Sequence, residues 1–170
     1  ISANQTFCGT YNPANITGSA PSGGSGGSAQ YQWQSRTTGG WSNINGATGA
    51  NYDPGNISQT TLYQRGARRS GCAPYIYSNT VTKTVTSNYT NAGTISANQT
   101  FCGTYNPANI TGTAPGGGSG GSAQYQWQDK TTSGWQDIPG AIGANYNPGN
   151  ISQTTLYQRG ATLSGCLPYI

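Results

Sequence analysis

A chain of 170 residues with 27 Gly and 12 Tyr and without Met, His or Glu is poor in helix formers and rich in turn and strand residues, which excludes a mainly helical fold. Its net charge of +4 is scattered, with Arg68–Arg69 the only basic pair, so the sequence offers no nucleic-acid surface. At 32% hydrophobic and 6% charged residues the chain sits near the boundary of disorder, yet its regularly placed aromatic residues point to a folded β protein. No run of about eighteen apolar residues is present, and hence no membrane-spanning helix is expected.

In chain order, Ile1 to Phe7 reads as a first strand, closed by Cys8-Gly9 and an Asn12-Pro13 turn. Ala14 to Ala20 reads as a short second strand, and the Gly/Ser run Pro21 to Ser28 as a flexible loop. Ala29 to Gln34, Ala-Gln-Tyr-Gln-Trp-Gln, alternates aromatic rings with amides and so predicts a half-buried strand with Tyr31 and Trp33 on the core face. Arg36 to Gly40 turns the chain, and Trp41 to Ile44 gives a brief strand before the tight-turn signal Asn45-Gly46. After the Asp53-Pro54-Gly55 turn come a strand over Thr60 to Ala67, carrying Tyr63 inward, and a last strand over Tyr77 to Thr86. In that last strand Lys83 shares a face with Val81 and Val85, which an edge strand with an inward charge explains and a bulge would explain as well.

The pattern then returns. Residues 1–76 and 95–170 align without a gap at an offset of 94, with 13 differences, so the chain holds two modules. Residues 1–94 form the first, ending in a polar linker at 87–94, and residues 95–170 form the second. Tyr125, Trp127 and Tyr157 repeat the core assignments of Tyr31, Trp33 and Tyr63. Some seven short strands per module, bounded by Gly and Pro, predict an all-β fold of tandem Ig-like β-sandwiches. The second module stops at the equivalent of Ile76 and has no counterpart of the Val-Thr strand. The expectation is that the polypeptide continues or that another chain supplies the strand.

Each module carries two cysteines 64 residues apart, and the simplest connectivity is within modules, Cys8–Cys72 and Cys102–Cys166. Disulfides place the chain in an oxidising compartment, outside the cell. A zinc site is disfavoured because there is no His and no Cys-x-x-Cys.

Catalysis has little to work with. The three carboxylates, Asp53, Asp129 and Asp137, are replaced in the other copy by Asn147, Ser35 and Asn43, so no acid is common to both modules. The same scarcity argues against a Ca²⁺ site, and no metal, cofactor or catalytic residue is assigned. Trp41 and Trp135 follow turns and are the candidate ligand platform, for surface glycans, whereas Arg65 and Arg159 either cover an aromatic ring or lie on the surface. Asn-x-Ser/Thr triplets, as at Asn4, Asn15 and Asn56, arise readily by chance in so Asn- and Thr-rich a chain.

The order Cys8, Tyr31, Trp33, Trp41, Ile44, Gly46, Ala47, Tyr52, Pro54, Thr60, Thr61, Tyr63, Arg65, Cys72, followed by Ser-Asn-Thr-Val, resembles the Ig-like repeats of very large Bacteroidetes surface proteins, among them gliding-motility adhesins of the SprB type. That resemblance implies a Gram-negative cell surface, export by the type IX route, and a role as stalk or filament in adhesion or gliding. It brings no ligand or catalytic residues. The expected function is therefore an extracellular structural and adhesive repeat whose partners are neighbouring repeats or further copies in a filament. Two alternatives stand beside it: a fibre subunit polymerised by strand donation, and a carbohydrate-binding accessory module of a secreted enzyme.

Overall fold

In the computed structural model, which describes all 170 residues, every regular element is a strand. The chain divides into two units, Ile1–Thr86 and Ser87–Ile170.

The first unit contains β1 (Gln5–Cys8), β2 (Ala29–Arg36), β3 (Ser42–Asn43), β4 (Thr61–Arg69), β5 (Ile76–Tyr77) and β6 (Val81–Thr86). They form one sheet in the order β1-β6-β4-β2-β3, with β5 also pairing β4. The aromatic strand β2 lies antiparallel to β4 over its whole length, Trp33 opposite Arg65 and Ser35 opposite Tyr63. Facing this sheet are irregular segments tied by two isolated antiparallel bridges, Tyr11 to Ile57 and Ile16 to Tyr52. Ile16, Trp33 and Tyr63 form the core between the layers, with Ile1, Ile44, Ala47 and Tyr52 packed around them. A turn fixes the tryptophan. Its amide donates to the Ala47 carbonyl (2.9 Å), its carbonyl accepts from Ile44 N (2.9 Å), and its indole Nε1 donates to the Gly49 carbonyl (2.8 Å). Ala47 N donates back to Ile44 O, and Gly46 takes a φ of +72°, so Ile44–Ala47 is a type II turn with glycine where the left-handed conformation is required.

The second unit contains β7 (Ala123–Thr131), β8 (Gly134–Asp137) and β9 (Tyr157–Leu163), ordered β8-β7-β9. Its registers copy the first, Trp127 opposite Arg159 and Asp129 opposite Tyr157. The bridges Tyr105 to Ile151 and Ile110 to Tyr146 repeat those of the first unit. Pro139 replaces Asn45 in the type II turn, at the position where proline's fixed φ fits.

Four expectations need correction. Ala14 to Ala20 forms no strand; only Ile16 bridges, because a neighbour is reached at that single residue. The strand with the inward lysine is not an edge: β6 lies between β4 and β1, which joins it in parallel with Gln5 opposite Lys83. Residues 87–94 are not a bare linker, since they belong to the second unit and bury Tyr89 there.

The fourth concerns the cysteines. Cys72 and Cys102 are free, exposed thiols, whereas Cys8 and Cys166 are in disulfide form, so neither Cys8–Cys72 nor Cys102–Cys166 is made. The register explains why. Cys8 sits opposite Thr86, beyond the end of β4 at which Thr61 pairs Lys83, while Cys72 lies in the turn past the other end of β4. Nine residues of strand, at about 3.3 Å each, put roughly 30 Å between those ends, against the 4.4–6.8 Å Cα separation that a disulfide tolerates.

Candidate functional site

Strand alternation points Arg65 inward between Tyr63 and Ala67, and its side chain is only 5% exposed. The guanidinium lies 4.4 Å above the Tyr31 ring and 5.9 Å from that of Trp33. Its Nη1 donates to the Ala50 carbonyl and its Nη2 to that of Ser19, both at 2.5 Å. Arg159 repeats the arrangement over Tyr125 (4.5 Å), donating to Ala144 O (2.7 Å), Thr113 O (2.6 Å) and Ala92 O (2.8 Å). These arginines thus cover aromatic faces and tie the loops of the second layer to the sheet. A Cβ on Gly18 or Gly112 would run into the guanidinium, which accounts for glycine at both positions. Tyr31 and Tyr125 are half-buried beneath their arginines, while Trp33 and Trp127 are fully buried. Tyr63 is buried and Tyr157 half-buried, a difference that leads to the groove described below.

The candidate platform residues lie at the sheet edges, Trp41 just before β3 and Trp135 within β8. Trp41 is half-buried under Arg36 (4.9 Å), and Trp135 is 40% exposed with Lys130 5.9 Å from its ring centre. The carboxylates are dispersed. Asp53 accepts from Gly55 N in a turn (2.9 Å), Asp137 accepts from Gln128 Nε2 (2.7 Å), and Asp129 keeps Oδ1 buried without a partner. Burial raises the hydroxyl pKa of Tyr52, Tyr63, Tyr146 and Tyr157 above the ordinary value, with the Asp129 charge adding to it at Tyr146 and Tyr157.

The two units differ most in what fills two clefts. In the first, the Gly/Ser loop is irregular but held, because the Arg69 guanidinium donates to the carbonyls of Gly23 (3.0 Å), Gly24 (3.3 Å), Gly27 (2.7 Å) and Gly26. In the second, Leu163 replaces Arg69, and the segment after β6 does the holding instead: Tyr89 OH donates to Gly121 O (2.9 Å) and Thr90 N to Gly116 O (3.0 Å). Asn88 Oδ1 accepts from Leu163 N (2.8 Å) and Thr162 Oγ1 (3.1 Å). Sequence reasoning missed Arg69, Asn88 and Tyr89, although the Arg68–Arg69 to Thr162–Leu163 exchange was the signal.

The converse holds at the other end. The first unit has β6 lying against β1 and β4, with Val81 and Lys83 each 2% exposed. Lys83 Nζ donates to Gln5 Oε1 (2.6 Å) and to Ala3 O (3.1 Å), and burial lowers its pKa below the ordinary lysine value. In the second unit the same place is an open groove of about 550 Å³, walled by residues that include Gln99, Phe101, Thr155, Leu156 and Tyr157.

A family model described as a domain of unknown function (DUF8696) matches residues 1–87 and again residues 91–170. No curated protein and no solved structure matches the chain. Two successive matches spanning nearly the whole length agree with the two units traced above, and the chain belongs to the DUF8696 family, of which it carries two tandem domains.

Proposed function

We propose that this chain is a pair of non-catalytic spacer repeats from an extracellular surface protein, each an Ig-like sandwich whose task is to extend a stalk or filament used in adhesion. The observation that carries this reading is repetition of architecture: two all-β units with the same registers, bridges, arginine covers and tryptophan turns. The 13 differences between the copies leave Tyr31, Trp33, Tyr63, Arg65 and the bridge residues in place, exchange Asn45 for Pro139 in the turn, and otherwise touch only neighbouring positions such as Ser19, Ser35, Arg68 and Arg69. Repeats built to one plan act as quasi-independent units joined in line, and their number then sets length. Oxidised Cys8 and Cys166 support an oxidising, extracellular setting. The sequence resemblance to Bacteroidetes surface adhesins supports the same location, with gliding motility as the more specific form.

Single-molecule pulling tests it. With the disulfide sulfurs at Cys8 and Cys166 reduced, two force peaks of similar height, each releasing the contour length of one unit, are expected. One continuous low-force extension overturns the reading, because a spacer must bear load. The exposed Trp135 favours one second reading, a glycan-binding face. Glycan-array binding abolished by Trp135→Ala with the fold intact would establish it in place of the spacer role.

A further inference from the structure

We propose that the groove of the second unit is a strand-acceptor site, and that its occupant is an extended segment with the chemistry of β6, apolar-x-Lys-x-apolar with threonine between. The inference goes beyond the spacer reading and does not depend on where the protein is located.

The first unit shows the site filled. β6 runs parallel to β1, Lys83 opposite Gln5 and Val85 opposite Phe7, and antiparallel to β4, Val81 opposite Tyr63 and Lys83 opposite Thr61. Beyond the two ladders, Thr82 N donates to Asn4 Oδ1 (2.9 Å), Val85 N to Thr60 Oγ1 (3.0 Å) and Thr86 Oγ1 to Phe7 O (2.9 Å). The lysine ammonium is received by Ala3 O and Gln5 Oε1.

The second unit keeps that whole set of receptors. Asn4, Gln5, Phe7, Thr60 and Tyr63 correspond to Asn98, Gln99, Phe101, Thr154 and Tyr157, and none of the 13 differences between copies falls on a groove residue. What changes is the state of the walls. Residues 99–102 form no strand, although the identical residues 5–8 do, and β9 starts at Tyr157, two residues later than β4 does at Thr61. Leu156 is 53% exposed, whereas its counterpart Leu62 is half-buried, and Ile110 is only partly covered where Ile16 is fully buried. Gln99 turns its amide to the Ala108 backbone, donating to its carbonyl (3.2 Å) and accepting from its N–H (3.1 Å), instead of receiving an ammonium. The groove therefore offers two backbone walls, an apolar floor and the oxygens of Ala97 and Gln99, which correspond to the lysine receptors Ala3 O and Gln5 Oε1. A strand of β6 type uses all three at once, whereas an apolar strand without the cation brings no donor to those oxygens.

The test uses the full chain and a peptide copying residues 77–86. Hydrogen exchange and amide NMR should show saturable binding, with the amides of 99–102 and 154–157 slowed by about tenfold or more. A peptide with Glu in place of the lysine should bind at least about tenfold more weakly, the effect of losing a charge-assisted bond in a desolvated site. A chain with residues 77–86 copied behind Ile170 should show the same protection and no longer bind the peptide. Absence of saturable binding, perturbation confined to the β8 edge, or a free chain already dimeric with those amides protected overturns the proposal.

Discussion

Two residue types decide how each unit closes, a tryptophan with its indole N–H satisfied and an arginine pressed on the neighbouring tyrosine. Arg65 links Ser19 and Ala50 of the second layer to the Tyr31 face of the sheet, so its loss leaves buried carbonyls unserved as well as a void. Arg65→Met is expected to destabilise the first unit by about 3 kcal/mol, since each bond from a charged donor contributes roughly 1.5–3 kcal/mol. Chemical denaturation with Trp33 fluorescence measures it, and a change below about 1 kcal/mol would show that the cover is dispensable. Lys83 sets the pH response. Its folded pKa lies below the ordinary value, so the unfolded chain holds the proton more tightly, and the penalty present at neutral pH is relieved as pH rises through the folded value. Tyr52 and Tyr63, held above their ordinary value, act oppositely: stability falls above about pH 10, where the unfolded tyrosines ionise first. Urea midpoints between neutral pH and 10 should rise for the parent chain and stay flat for Lys83→Met. Equal slopes would exclude Lys83 as the source.

At the scale of elements, the local pattern was legible and the long-range pairing was not. Tyr31, Trp33 and the intervening glutamines announce β2, and Asn45-Gly46 announces its turn, because both signals lie within a few residues. Sequence reasoning placed β6 at an edge since an inward lysine is usual there; its parallel partner β1 lies 78 residues away and leaves no local trace. The lack of a second Val-Thr strand already pointed to an open edge in the second unit, whereas the residues that wall its groove are visible only when one unit is laid against the other. The cysteine spacing looked like a bridge within the repeat, but spacing says nothing of which end of β4 each thiol occupies. The turn permits a direct test. Pro139 occupies the position of Asn45 in the second unit, so Asn45→Pro should stabilise the first by about 0.5–1 kcal/mol through a less flexible unfolded chain. A loss of stability would mean that the turn is not type II.

At the scale of the whole molecule, cysteine chemistry and repetition meet. Cys72 and Cys102 are exposed and free while Cys8 and Cys166 are oxidised, so thiol titration of the denatured, unreduced chain should find two reactive groups. Cys72→Ser should leave one, and peptide mapping should place the alkylating label at 72 and 102. Label at Cys8 or Cys166 would contradict the oxidation pattern. Exposed thiols in an oxidising medium also invite bonds to further copies, and non-reducing gels of aged protein should show a ladder that the Cys72→Ser/Cys102→Ser chain lacks.

The buried cations have one more effect. Arg65, Arg159 and Lys83 all rest on carbonyl and amide oxygens, oriented dipoles inside the protein, where dissolved ions do not reach to weaken the attraction. Melting temperature should accordingly hold nearly constant from dilute buffer to about molar sodium chloride. A chain built this way keeps its fold across fresh water, brackish water and brine.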